Sequence, residues 1–245
     1  MDRAIMKKEL IKQQFSKNLT NYEENAVVQM IMAEKLVNLL PKKEYKNILE
    51  IGCGTGFLTK LINKNIKFDT YTTVDIVGEC KDYIQSINPN IDFIKGDIEK
   101  TKLTKKYDLI ISNAVFQWIT NFKEFINTLN TSLNDNGILA YTTFGKENFI
   151  EIRKVGKVSL DYFSKVEIKE LLSNYSIEHI EEETIIKNFE NIKNMLMHMK
   201  KTGVNSLSEK TWSIKEVNAF IKHYKELYND NVSLTYNPIY VIAKK

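Results

Sequence analysis

The chain has 245 residues, 43% of them hydrophobic and 27% charged, enough for one good-sized α/β domain with additions. Its net charge of +4 comes almost wholly from lysine, with Arg3 and Arg153 the only arginines, which argues against a nucleic-acid protein, where arginine makes the bidentate contacts. No apolar run approaches the roughly 18 residues that span a bilayer, the charged stretch from Met1 to Lys17 has no secretory h-region, and Cys53 and Cys80 form no disulfide framework, so the cytoplasm is the expected location.

Helices are expected over 9–17 and 26–40, the second stopped by Pro41. The segment between them reads Phe15-Ser16-Lys17-Asn18-Leu19-Thr20-Asn21-Tyr22-Glu23. Next comes Ile48-Leu49-Glu50-Ile51-Gly52-Cys53-Gly54-Thr55-Gly56. Ile48, Leu49 and Ile51 suit a buried strand, and glycines at alternate positions let the backbone turn and approach a ligand closely. Residues 57–62 continue as a helix with Leu58, Leu61 and Ile62 on one face, its N-terminus aimed at whatever fills the loop.

Further strands are expected over 68–75, 91–95, 107–112 and 138–144, with helices over 78–86 and 122–133 and a turn at Asn136-Gly137. A helix over 166–172 and a strand over 177–186 follow, then helices over 191–201 and 214–228. The chain closes with a final or bent strand over 232–236 and 239–243, interrupted by Pro238. The alternation predicts an α/β fold, a mostly parallel sheet with helices on both faces. Ligands of such sheets bind beyond the carboxyl ends of the strands.

Those ends carry the candidate site. The glycine spacing departs from the dinucleotide fingerprint, because the third glycine comes one residue early, so a dehydrogenase fits worst. Asp75 lies 21 residues after Gly54 and ends the second strand, a position suited to ribose hydroxyls. Glu50 ends a buried strand, where a carboxylate is costly unless hydrogen-bonded, and a supporting role is expected for it. Beyond the fourth strand, Asn113-Ala114-Val115-Phe116-Gln117-Trp118 sets an aromatic wall and one neutral amide near the reacting centre. His179, His198 and His223 all fall in the last third, away from the strand ends, and no general base is evident. An acceptor that is already ionised, such as a carboxylate with a pKa near 4, needs none.

Glu50-Ile51-Gly52-Cys53-Gly54-Thr55-Gly56 resembles the first motif of class I methyltransferases, which bind S-adenosylmethionine. The resemblance implies a Rossmann-like core and no metal. It also implies a cofactor set of Glu50, Gly52, Gly54, Gly56, Asp75, Ile76, Asp97, Ile98 and Asn113, with Asp97 accepting from the adenine amino group and Ile98 packing on the ring. The Asn/Asp-Pro-Pro-Tyr loop of amino-methylating enzymes is missing after the fourth strand. Phe15…Tyr22-Glu23, Ser112 to Trp118, Thr142-Thr143-Phe144, Met199-Lys200-Lys201-Thr202-Gly203-Val204 and Leu234-Thr235-Tyr236 are similar to one subfamily, the malonyl-acyl-carrier-protein O-methyltransferases of biotin synthesis.

That narrower resemblance implies methylation of the free carboxylate of a malonyl thioester, on acyl carrier protein or coenzyme A, leaving S-adenosylhomocysteine. It divides a single domain into lid helices (1–41), a cofactor core (42–187), a helical substrate cap (188–231) and a final strand (232–245). Tyr22, Gln117 and Trp118 are the expected catalytic residues, and Arg153 is a further candidate for the substrate carboxylate. Lys154, Lys157, Lys193, Lys200, Lys201 and Lys210 are candidates for docking an acidic carrier. Two other readings stay open: a methyltransferase for another carboxylic acid or a quinone precursor, and a partner protein that binds S-adenosylmethionine without catalysis.

Overall fold

The computed structural model describes residues 3–156, 160–202, 213–229 and 231–245. Three helices lead: α1 (Arg3–Asn18), a one-turn α2 (Tyr22–Asn25) and α3 (Val27–Leu39). The core follows as β1 (Glu44–Ile51), α4 (Phe57–Asn65), β2 (Lys67–Asp75), α5 (Cys80–Ile87), β3 (Asp92–Lys95), β4 (Tyr107–Ser112), α6 (Phe122–Ser132) and β5 (Leu133–Phe144). The remainder is α7 (Ile150–Gly156), α8 (Lys165–Leu171), β6 (Ser176–Glu182), β7 (Ile185–Asn188), α9 (Ile192–Lys201), α10 (Ile214–Tyr228), β8 (Ser233–Tyr236) and β9 (Pro238–Lys244).

Seven strands form one sheet in the order β3-β2-β1-β4-β5-β9-β6. The pairs from β3 to β5 are parallel, and β9 runs antiparallel to both its neighbours. Strand side chains alternate between faces. Ile48 and Leu109 therefore pack under α3, α4 and α5, while Leu49 and Ile110 pack with α6 and α8 on the other face. The strand order reverses beside β1, so the ends of β1, β2 and β4 open a crevice there.

Two segments depart from the sequence reading. The stretch read as one strand over 177–186 is β6 and β7, which lie in different sheets, and the bent final strand is likewise β8 and β9. Asn237 makes the break. Its side chain donates to the Glu183 carbonyl (2.9 Å) and accepts from the Glu147 N–H (3.0 Å), and Pro238 follows it with no N–H to give a ladder. Strands β7 and β8 then pair only with each other, with α9 and α10 in the connection between them. Helix α7 was not foreseen. Its Glu151 is buried and accepts from the Thr235 N–H (3.0 Å) and hydroxyl (2.5 Å), fastening the two-stranded sheet of β7 and β8.

Candidate active site

A cavity of about 170 Å³ opens over the carboxyl ends of the strands. The glycine loop forms its floor. Gly52 sits at φ +74, where an added Cβ would collide with Val115. Gly54, at φ +52, has nothing within 4 Å of such a Cβ among the described residues, because it faces the cavity. Gly56 caps α4 at φ +83 and lies outside the lining.

Glu50 is fully buried behind the loop, and it does not line the cavity. One oxygen accepts from the Thr59 hydroxyl (2.7 Å) on α4 and from the Tyr71 hydroxyl on β2; the other has no partner. Asp75 lines the cavity with Ile76. Its two oxygens accept from the Gly54 N–H (2.9 Å) and the Val77 N–H (2.8 Å), and the Cys80 thiol and the Ile76 N–H also bear on the carboxylate. Burial raises its pKa, and those backbone donors oppose the shift. Asp97 and Ile98 line the rim after β3. Both Asp97 oxygens meet Lys8 Nζ of α1 (2.6 and 2.7 Å), which also contacts Glu99. Asn113 joins the loop after β4 to two elements, accepting from Thr142 Oγ1 (2.7 Å) and donating to the Gln29 carbonyl (2.9 Å).

The N-terminal helices close over this floor. Phe15 meets Trp118 edge-on at 6.0 Å between ring centres and Tyr22 at 6.0 Å. A second, narrow cavity lies behind Trp118, lined also by Gln117, Asn148, Tyr162 and Thr202. Phe15, Tyr22, Gln29, Ala114 and Trp118 border both spaces and mark the junction. Ala114 is held there at φ +55, a strained value for alanine. Burial, and then the charge of Asp75, push the Tyr22 hydroxyl up to about 12, so it stays a proton donor at neutral pH.

Of the other expected residues, Gln117 lines only the narrow cavity, donating to the Ala114 carbonyl (2.6 Å) with its own Oε1 unpartnered. Phe116 is core, stacked on Tyr141 at 4.3 Å. Arg153 lines neither cavity. His198 is bonded to the Tyr236 hydroxyl (2.6 Å), and burial lowers it to about 4. Among the described residues no histidine lines either space, no cluster is arranged to hold a metal ion, and no helix is long and apolar enough to cross a membrane. Lys8 and Gln29 were missed. Nothing in the sequence marks Lys8, but Gln29 carried a signal: it is a polar residue in helical register with the apolar positions Ala33 and Leu36.

A model of the methyltransferase domain matches residues 25–209. The chain belongs to the class I S-adenosylmethionine-dependent methyltransferases. It is 37% identical over 240 residues to a malonyl-[acyl-carrier protein] O-methyltransferase of Calditerrivibrio nitroreducens, covering 96% of each chain. It is 34% identical to the like-named protein of Bacteroides thetaiotaomicron, covering 98% of this chain and 99% of that one. The YcgJ protein of Bacillus subtilis shares the fold at 12% identity, with a TM-score of 0.66 over 88% of this chain and 98% of that one. The family uses S-adenosylmethionine, and the chain's open glycine at Gly54 and the Asp75 carboxylate on the cavity lining suit that molecule's close approach and ribose hydroxyls.

Glu50 generates a prediction for this methyltransferase. Burial pushes its carboxyl up to about 7, against the hydrogen bonds from Tyr71 and Thr59. The unfolded value is near 4.3. Between those values the folded state keeps a proton that the unfolded state has released. The stabilising contribution is therefore whole below about 4.3 and is lost as pH rises through about 7. Glu50→Gln removes this dependence, so the variant should gain on the order of 3 kcal/mol over wild type between about pH 4.5 and about pH 8. Urea unfolding at both pH values checks it, and parallel profiles for the two proteins would refute it.

Proposed function

We propose that this methyltransferase esterifies the free carboxylate of a malonyl thioester carried by acyl carrier protein, forming the methyl ester that starts pimeloyl synthesis for biotin. The observation that carries the reading is the junction bordered by Phe15, Tyr22, Gln29, Ala114 and Trp118, where none of the described bordering residues is a general base. An acceptor that must lose a proton would need a base there; a carboxylate does not. Near-full-length relatives named for this reaction support the same choice.

S-adenosylmethionine supplies, when bound, an electrophilic methyl that passes to a carboxylate oxygen with no proton transferred. The residues divide the remaining work. Gly52 and Gly54 admit the cofactor, and Gly56 starts α4 behind them. Asp75 receives the ribose hydroxyls. Asp97 receives the adenine amino group, sharing it with Lys8 or releasing Lys8, while Ile76 and Ile98 pack on the rings. Glu50 and Asn113 hold the two loops in place from outside the reacting centre. Tyr22 and Trp118 offer neutral donors to the acceptor; Trp118 Nε1 is buried without a partner. Gln117 keeps Trp118 in position by clamping its turn. Neutral donors orient a carboxylate without the loss of nucleophilicity that a cation would bring. Phe15 and Trp118 exclude water.

The carrier would dock on α9. Lys193, Met197, Lys200 and Lys201 follow one another at helical spacing on its exposed side. Among the described residues these lysines have no carboxylate partner. The helix leads into Thr202, which lines the narrow cavity. Lys154 is exposed in the last turn of α7; Lys157 and Lys210, and Gly203-Val204 of the similar segment, lie outside the described residues.

Purified protein given labelled methyl donor and malonyl-carrier protein should form a base-labile methyl ester, in preference to malonyl-coenzyme A or free diacids; a donor-binding protein that forms none would sink the proposal. Asp75→Ala should weaken binding of S-adenosylhomocysteine by about tenfold or more, as calorimetry reads it, since ribose loses charged acceptors. Reversing Lys193, Lys200 and Lys201 to glutamate should raise KM for the carrier substrate about tenfold at low salt and leave malonyl-pantetheine turnover unchanged. Equal effects on both substrates would move docking elsewhere.

A further inference from the structure

Helix α3 turns Val28, Met32, Ala33, Leu36 and Val37 into the core, and among them it buries Gln29 at 8% exposure. Glutamine is a poor choice for such a position. Ordering its side chain costs entropy, and a buried amide without a partner costs about 1–3 kcal/mol. A leucine or methionine would fill similar space without that cost. Yet Gln29 Oε1 has no partner, and among the described residues the side-chain amide makes no hydrogen bond at either end. Its backbone is fixed, with the carbonyl accepting from Asn113 Nδ2 (2.9 Å) on the loop after β4.

The place of this amide explains it. Gln29 borders both cavities, together with Tyr22 and Trp118, whose indole N–H is likewise buried and unpartnered. We propose that Gln29 is an acceptor-binding residue, its amide NH₂ donating to the carboxylate of a short acyl substrate at the junction of the two cavities. This rests on the methyl-transfer reading above. Gln29, Tyr22 and Trp118 together present an amide, a phenol and an indole donor, all neutral. That set recognises a planar pair of anionic oxygens, holds one oxygen while the other attacks, and leaves the negative charge unquenched. Selection for an acid over a neutral acyl group follows, because only a carboxylate takes up the Trp118 indole N–H, which is otherwise buried and unpaired, together with the NH₂ of a Gln29 amide that makes no other hydrogen bond among the described residues.

The test compares wild type, Gln29→Leu and Gln29→Glu, each saturated with S-adenosylhomocysteine. Calorimetry measures binding of malonyl-pantetheine, which carries the carboxylate, and of acetyl-pantetheine, which lacks it. Gln29→Leu should weaken malonyl-pantetheine about tenfold, with acetyl-pantetheine and S-adenosylhomocysteine held within about twofold. Gln29→Glu should weaken malonyl-pantetheine further still, by repulsion of like charges. A leucine on this apolar face should keep the melting temperature at or above that of wild type, so the comparison is made between folded proteins. Unchanged malonyl binding in Gln29→Leu, or an equal loss for both thioesters, overturns the inference. Ester formation by wild type is scored separately. A wild type that forms no ester but loses malonyl binding on Gln29→Leu would refute the reaction and keep the carboxylate site; one that forms ester while Gln29→Leu binds normally would do the reverse.

Discussion

Everything at this site hangs on a carboxylate that water does not reach. Glu50 ends the first core strand, and its hydrogen bonds run forward to Thr59 on the helix after the glycine loop and sideways to Tyr71 on the neighbouring strand. The loop between those elements has positive φ at three glycines and too few side chains to stabilise itself. A buried charge on Glu50 is costly, and the hydrogen bonds that oppose that cost form only when β1, β2 and α4 stand in the native arrangement. The turn is therefore set by a residue that does not touch the cavity. Asp75 repeats the device from the other side, taking the Gly54 N–H with one oxygen and facing the cavity as well.

The N-terminal helices roof this floor. Helices α1 and α2 reach the floor mainly through side chains: Lys8 on Asp97 and Glu99, Ser16 on Glu79, Glu23 on Lys60, and Phe15 against Trp118. The Glu23–Lys60 pair is half-exposed and contributes little to stability, whereas Lys8, Asp97 and Glu99 are largely shielded from water. The aromatic contact borders the junction. Among the described residues the walls of the junction carry aromatic rings and neutral hydrogen-bonding groups and no histidine.

The central strands, the glycine loop and the acids at the strand ends were legible in the sequence because each depends on local pattern: a two-residue alternation, a turn that only glycine makes cheaply, an acid at a fixed distance. The two helices between a pair of strands were legible for the same reason. The division of 177–186 and of the last strand was not. It arises from Asn237, whose bonds go to Glu183 and Glu147, far away in the chain. Glu151 was equally opaque, since an acid in a short amphipathic stretch reads as solvated until Thr235 is brought against it.

By itself the sequence determined an S-adenosylmethionine-type α/β core and the order of its parts, because strand periodicity, glycine spacing and acid placement are properties of neighbouring residues. Only the tertiary structure decided which polar groups meet at the junction of the two cavities. It set Phe116 into the core and Trp118 into the wall, moved Arg153 off the lining, and left Gln29 facing two cavities without a partner. Those outcomes depend on contacts between helices and loops separated by up to a hundred residues or more, and the burial of a hydrogen-bonding group is defined only once such contacts have formed.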